Sequence, residues 1–176
     1  MPLSGSNHSM SAFSCLFVGR FQPFHKGHLM VVKGMTKVCG KVVIAIGSPD
    51  AHDGENPFTV GERREMIQRA LQAEDIIPNF DVSIVEVPDV GNDAEWAKKC
   101  LELSESVHQV WSGNEWTLKC FEGLDLEVKP IKEVPGISAT EIRKRMVEGG
   151  DWRALLPDDV ASYLSDIGAV ERVKKL

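Results

Sequence analysis

Five short runs that read as strands alternate with segments of helical spacing between Phe13 and about residue 130, and no other feature restricts this chain as much. Phe13–Val18 (FSCLFV) and Lys41–Ile46 (KVVIAI) are apolar almost throughout, as strands buried on both faces of a parallel sheet must be. Asp81–Val87 (DVSIVEV), Gln109–Ser112 (QVWS) and Leu126–Lys129 supply three more strands. Helical spacing occupies His28–Val38, the stretch from Thr59 to about Ala73, Ala94–Ser104 and Trp116–Phe121. Thr59 with Glu62, and later Ser138 with Glu141, have the spacing of capping boxes. The second opens a helix to about Glu148, and two short helices near 158–166 and 169–175 follow. The alternation predicts an α/β fold: a Rossmann-like, doubly wound parallel sheet with helices on both faces and a helical C-terminal segment. Such sheets take ligands beyond the carboxyl ends of their strands, which directs attention to the loops after the first four.

A chain of 176 residues with 43% hydrophobic content fits a single domain, here residues 12–176, with residues 1–11 (MPLSGSNHSMS) expected to be a disordered leader or expression remnant. The formal charge of -6 runs against a general nucleic-acid binder, which needs a basic surplus. No apolar run approaches the ~20 residues of a membrane span, and the start lacks the pattern of a signal peptide. Cys15, Cys39, Cys100 and Cys120 form no C-x-x-C pair and match no zinc template. They are expected to be reduced thiols of a cytoplasmic protein.

The first strand runs directly into Gly19-Arg20-Phe21-Gln22-Pro23-Phe24-His25-Lys26-Gly27-His28. Gly19 allows a sharp turn, Gly27 a close approach at a helix start, and the helix N-terminus offers free N–H groups to an anion. His25 and His28 are three residues apart, so both can face one ligand. Two imidazoles, the Arg20 guanidinium and a helix N-terminus suit a polyphosphate. The other readings of this pair are a partial metal site, with no third ligand near in sequence, and two unrelated surface histidines.

A second segment, Gly136-Ile137-Ser138-Ala139-Thr140-Glu141-Ile142-Arg143, opens a later helix. Ser138 or Thr140 can cap it or bind a phosphate, and Arg143 can fold back to the same anion. Read alone, it is equally an ordinary cap with solvated basic residues behind it. The chain has no G-x-G-x-x-G after a strand, no P-loop and no G-x-S-x-G.

FVGRFQPFHKGH, IGS, NPFTVGERREM, PDVGNDAEW, WSGN, ISATEIRKRM, GDWRALLPDDV and GAVERVKKL occur in this order from about Phe13 to the last residue. Together they resemble the archaeal-type nicotinamide mononucleotide adenylyltransferases, within the H-x-G-H nucleotidyltransferase superfamily. The resemblance implies that the 5′-phosphate of nicotinamide mononucleotide attacks the α-phosphorus of ATP, giving NAD and pyrophosphate, with Mg²⁺ arriving on ATP. It implies that Arg20, His25 and His28 contact the ATP phosphates, His28 at the α-phosphate. Gly19 and Phe21 would lie along the nucleotide, Gly113 and Asn114 would hold adenosine, and Ser138, Thr140 and Arg143 would hold the β- and γ-phosphates. Gly47 and Ser48 would border the mononucleotide pocket, and Trp96 would stack on the nicotinamide ring, where the alternative is a core tryptophan on an amphipathic helix. The resemblance also implies a homo-oligomer, up to a hexamer.

Two positions depart from the family pattern. Asp93 stands where relatives often carry Asn, and a carboxylate there could accept from a carboxamide while repelling the carboxylate of nicotinic acid mononucleotide; alternatively Asn92 takes the role. Glu55 stands in a loop that usually carries a basic residue. Neighbouring readings keep the chemistry and change the acceptor, to nicotinic acid mononucleotide or phosphopantetheine, or change the donor to a cytidylyl nucleotide.

Overall fold

A computed structural model describes residues 13–176, so the expectation for residues 1–11 lies outside the described residues. The strands are β1 (Ser14–Gly19), β2 (Lys41–Gly47), β3 (Asp81–Val87), β4 (Gln109–Ser112) and β5 (Glu127–Pro130). The helices are α1 (Lys26–Val38), α2 (Val60–Ala73), α3 (Asp93–Ser104), α4 (Glu115–Phe121), α5 (Ala139–Glu148), α6 (Asp158–Asp166) and α7 (Ala169–Lys175), with a short 3-10 turn at Arg153–Leu155.

All strand pairs are parallel, in the order β3-β2-β1-β4-β5. Successive strands step outward from β1 to β3, and the chain then crosses back to lay β4 against the other side of β1. That reversal opens a crevice beyond the carboxyl ends of β1 and β4, at Gly19 and Ser112. The doubly wound sheet expected from the alternation is the one observed.

Side-chain alternation in the two central strands divides the core. Cys15 and Phe17 of β1, with Val42, Ile44 and Ile46 of β2, pack on one face against α1, α2 and the C-terminal helices. Leu16 and Val18, with Val43 and Ala45, pack on the other against Trp96, Ala97, Cys100 and Phe121. The C-terminal segment is tied back by Arg172, which pairs with Glu62 while Glu62 also accepts from the Thr59 N–H at 2.9 Å. Thr59 and Glu62 thus form the capping box expected of them. Ser138 and Glu141 form only half of one: Ser138 Oγ accepts from the Glu141 N–H at 3.1 Å, but the Glu141 carboxylate pairs with Arg145 at 3.0 Å instead. An i,i+4 partner of opposite charge outcompetes the neutral cap N–H for that carboxylate.

Arg63 in α2 is fully buried and has no carboxylate partner among the described residues. Its guanidinium donates instead to the carbonyls of Thr59 (3.3 Å), Arg20 (3.0 Å), Gly47 (2.9 Å), Ser48 (3.1 Å) and Pro49 (3.3 Å). One side chain therefore fastens the loops that leave β1 and β2 to the first turn of α2. The planar fork of arginine can serve this many acceptors, whereas the lysine ammonium has three donors on one point.

One expectation fails. Cys15 and Cys39 are joined in a disulfide, with Cα atoms 6.1 Å apart, rather than standing as separate thiols. Their separation of 24 residues hid the pair, because α1 turns back antiparallel to β1 and brings its C-cap beside the strand's start. Cys100 and Cys120 are free, and burial pushes the Cys100 thiol up to about 12.

Two measurements check these points. Thiol titration of unreduced, denatured protein should count two thiols rather than four. Arg63→Met should lower stability by about 3 kcal/mol, because each buried carbonyl left without a donor costs ~1–3 kcal/mol and removal of the buried charge offsets only part of this; an unchanged Tm would contradict the role given to Arg63.

Candidate active site

The chain leaves β1 at Gly19 and reaches α1 after six residues, and the chemistry at this junction is set by two histidines that cap each other. His25 is the N-cap of α1: its Nδ1 accepts from the Gly27 N–H at 3.0 Å and the His28 N–H at 3.4 Å. His28 Nδ1 accepts in return from the His25 N–H at 3.1 Å. The rings stack with centroids 3.6 Å apart. A ring whose Nδ1 accepts a backbone N–H carries its own proton on Nε2 when neutral, so each presents Nε2–H as its remaining polar edge.

Burial lowers the His25 pKa to about 4. Burial, and then the charge of His25, lower His28 well below its ordinary value. Both rings are therefore neutral donors at physiological pH. Histidine is not among the common N-caps, which is why helical spacing alone placed the start of this helix at His28 and not at Lys26.

The two glycines act through space. A Cβ on Gly27 would stand 2.9 Å from His25 Cε1, so the small residue admits the capping ring. A Cβ on Gly19 would stand 2.9 Å from Phe21 Cζ. Phe21 was expected along the nucleotide; it lines the second lobe, with its ring 2% exposed and edge-on to His28 at 4.9 Å. It supports the imidazole, while its backbone takes the left-handed turn (φ 55°) that aims the loop.

The crevice has two lobes that share Val18, Gly19, His28, Asn114, Ala139 and Thr140. The first, of about 300 Å³, adds His25, Gly113 and Ser138. The α1 and α5 N-termini both open on it, so two sets of helix N–H groups and their positive dipole ends meet there. Asn114 and Ser138 also cap their helices, Asn114 Oδ1 accepting from the Thr117 N–H at 3.1 Å. The second lobe, of about 410 Å³, adds Arg20, Arg143, Gly47, Ser48, Glu55, Asp89, Trp96 and Trp116.

Arg143 is half-buried and donates to the Gln22 carbonyl at 2.8 Å, and Gln22 is clamped at both ends of its amide to the Phe58 backbone (2.9 and 3.1 Å). The guanidinium expected from the second segment is thus fixed against the first. Arg20 is exposed and reaches Asn56 Oδ1 at 3.4 Å. Glu55 lines the same lobe, so a carboxylate does stand beside the two arginines.

The second lobe departs from expectation most. Trp96 is 5% exposed and lies largely in the core, against Phe121 at 5.8 Å; its remaining edge meets Trp116 at 5.0 Å. Trp116 is 49% exposed and offers the larger free face to the lobe, although its place in the sequence suggested no role beyond a helix. Asp93 is exposed and outside the lining of both lobes, and Asn92 is taken up capping α3, accepting from the Glu95 N–H at 3.0 Å. Asp89 is a second carboxylate, besides Glu55, that lines the lobe, and it accepts from Ser48 Oγ at 3.1 Å. The hint in the sequence was its position directly after β3 and Pro88, at a strand's carboxyl end.

A parallel sheet whose switch point carries two helix N-termini, two donor imidazoles and two guanidiniums defines a nucleotidyltransferase of the H-x-G-H kind. The family model described as cytidylyltransferase-like matches residues 16–145. Nicotinamide-nucleotide adenylyltransferases of Pyrococcus furiosus and Methanolobus tindarius are 38% and 35% identical, covering 92% and 91% of this chain and 87% and 92% of theirs. That of Halobacterium salinarum is 34% identical over 90% of this chain and 89% of its own. The chain belongs to this nicotinamide-nucleotide adenylyltransferase family. Its fold is shared with a bifunctional NMN adenylyltransferase/ADP ribose pyrophosphatase of Francisella tularensis solved with AMP and a manganese ion (TM-score 0.76, 23% identity). The match covers 93% of this chain and about half, 51%, of that longer one.

The histidine geometry fixes a pH dependence. The unfolded imidazole takes a proton as pH falls through about 6.5, while folded His25 resists until about 4. Stability is therefore full above pH 6.5 and is lost as pH falls toward 4. Between pH 7 and pH 4.5, wild type should lose about 2 kcal/mol more than His25→Asn, which keeps a capping oxygen and does not titrate. Parallel pH profiles would refute the buried, neutral His25. Gly27→Ala should push the His25 ring aside and lower kcat at least tenfold.

Proposed function

We propose that this chain transfers the AMP moiety of ATP to the 5′-phosphate of nicotinamide mononucleotide, releasing pyrophosphate and forming NAD. The observation that carries the proposal is the pair of Nε2–H donors at the junction of two lobes, one suited to a polyphosphate and the other to a cationic aromatic ring. Family membership points to the same reaction.

An oxygen of the acceptor phosphate forms the new bond to the α-phosphorus of ATP. The bond from that phosphorus to the bridging oxygen breaks, and its electrons leave with pyrophosphate. No proton must move at the reacting atoms, so the site's task is to align two anions and stabilise the charge they share. His28 and His25 donate to oxygens around the α-phosphate. Their Nδ1 atoms are committed to backbone N–H groups, so charging either ring would break the cap, and the rings act as donors rather than proton carriers. Arg143, Thr140 and Ser138 with the α5 N-terminus receive the β- and γ-phosphates. Arg20 bridges toward the acceptor phosphate. Gly113 and Asn114 border adenosine, and the faces of Trp116 and Trp96 receive the pyridinium.

Mg²⁺ is read as part of the substrate, entering on ATP. In this reading the phosphates supply most of its ligands. No helix of the described residues is long and apolar enough to cross a membrane. The proposal places the enzyme in the cytoplasm, where a Cys15–Cys39 bond is uncommon. It also retains a homo-oligomer, up to a hexamer, as its assembly and gives nucleic acid no part; sedimentation would measure the former.

A pyrophosphate-release assay with Mg-ATP and each of the two pyridine mononucleotides, with products identified by mass, tests the reading. NAD should form, and silence with both acceptors would overturn it. His28→Ala should lower turnover at least a hundredfold with a smaller effect on ATP binding. Trp116→Ala should raise the KM for the mononucleotide about tenfold and leave the KM for ATP within about threefold, since one lost aromatic face over a cation is worth ~1–2 kcal/mol.

A further inference from the structure

Asp89 and Ser48 form a unit that the adenylyl-transfer chemistry does not use. Ser48 is 7% exposed and holds a left-handed backbone (φ 47°), a conformation that costs a non-glycine residue energy and persists only where the surroundings enforce it. The enforcement is visible: Arg63 Nη2 donates to the Ser48 carbonyl at 3.1 Å and to that of Pro49 at 3.3 Å, while Nη1 holds Gly47 at 2.9 Å. So fixed, the Ser48 hydroxyl donates to Asp89 Oδ1 at 3.1 Å, across the ends of β2 and β3. The second carboxylate oxygen remains able to accept. Asp89 lines the same lobe as Trp96 and Trp116.

We propose that Asp89 is a specificity-determining residue for the acceptor, selecting a cationic ring with a neutral carboxamide over one bearing a carboxylate. The inference rests on the reading of this lobe as the pyridine-mononucleotide site. A carboxylate in the same lobe as the aromatic faces attracts the pyridinium and accepts a hydrogen bond from a carboxamide NH₂. A ring carboxylate has no hydrogen to donate and adds like-charge repulsion. The charges facing Asp89 within the lobe are Arg20, Arg143 and Glu55. The two cations serve phosphates of either acceptor and so do not discriminate between them. The discrimination first attributed to Asp93 belongs by this geometry to Asp89, since Asp93 lies outside the lining.

The test measures kcat/KM for nicotinamide and nicotinic acid mononucleotides with wild type, Asp89→Asn, Asp89→Ala and Asp93→Asn. Both Asp89 variants should raise the acid-to-amide ratio of kcat/KM at least tenfold, mainly through KM for the acceptor, while Asp93→Asn stays within threefold of wild type. Ratios within threefold of wild type in both Asp89 variants would overturn the assignment, as would a tenfold shift in Asp93→Asn alone. Because the readout is a ratio within each protein, partial misfolding does not mimic it. Wild type inactive on both acceptors would instead overturn the functional reading beneath it.

Discussion

The reciprocal cap between His25 and His28 is the interaction on which the site depends. It satisfies the Gly27 and His28 N–H groups in the first turn of α1, fixes both imidazoles as Nε2–H tautomers and stacks them at 3.6 Å in one move. Its environment is built to permit it: Gly27 leaves room for the capping ring, and Phe21 and Phe24 pack against His28 at 4.9 and 5.3 Å. The same burial that steadies the rings removes their charge. Cationic stabilisation is left to Arg20 and Arg143, and the helix termini add positive potential without any titratable group.

A second support, the buried guanidinium of Arg63, works at the level of loops. The sheet brings the ends of β1 and β2 side by side, and Arg63 binds carbonyls from both together with the start of α2. The two lobes of the crevice thus meet at a junction whose backbone is held by one side chain. A buried cation without a carboxylate partner is costly, and its cost falls where the bound substrates carry the opposite charge.

Much of this was legible in the sequence. β-branched runs and helical spacing gave the parallel sheet but not its strand order, because burial on both faces leaves a pattern in adjacent residues while the place of the reversal does not. Gly19, His25, His28, Ser138, Thr140 and Arg143 could be assembled because strand end and helix start are local signals. What escaped depends on contacts far apart in sequence. Cys15 meets Cys39 only through the packing of α1 on β1. Trp116 becomes the open aromatic face because Trp96 is drawn into the core by Phe121. Asp89 lines the crevice and Asp93 does not, because Asn92 is spent on the cap of α3 and Asp93 opens that helix outside the lining. The half-made box at Ser138 shows the same limit, since Arg145 claims the carboxylate that the spacing assigned to the cap.

The claim that the two histidines act as neutral Nε2–H donors is open to direct observation. Imidazole nitrogen NMR on ¹⁵N-histidine-labelled protein, followed from pH 8 to pH 5, reads both tautomer and charge at each ring. The account predicts that His25 and His28 each show a protonated Nε2 and an unprotonated, hydrogen-bond-accepting Nδ1 across that whole range. Protonation of either buried ring near pH 6.5, or a proton resident on Nδ1, would contradict it.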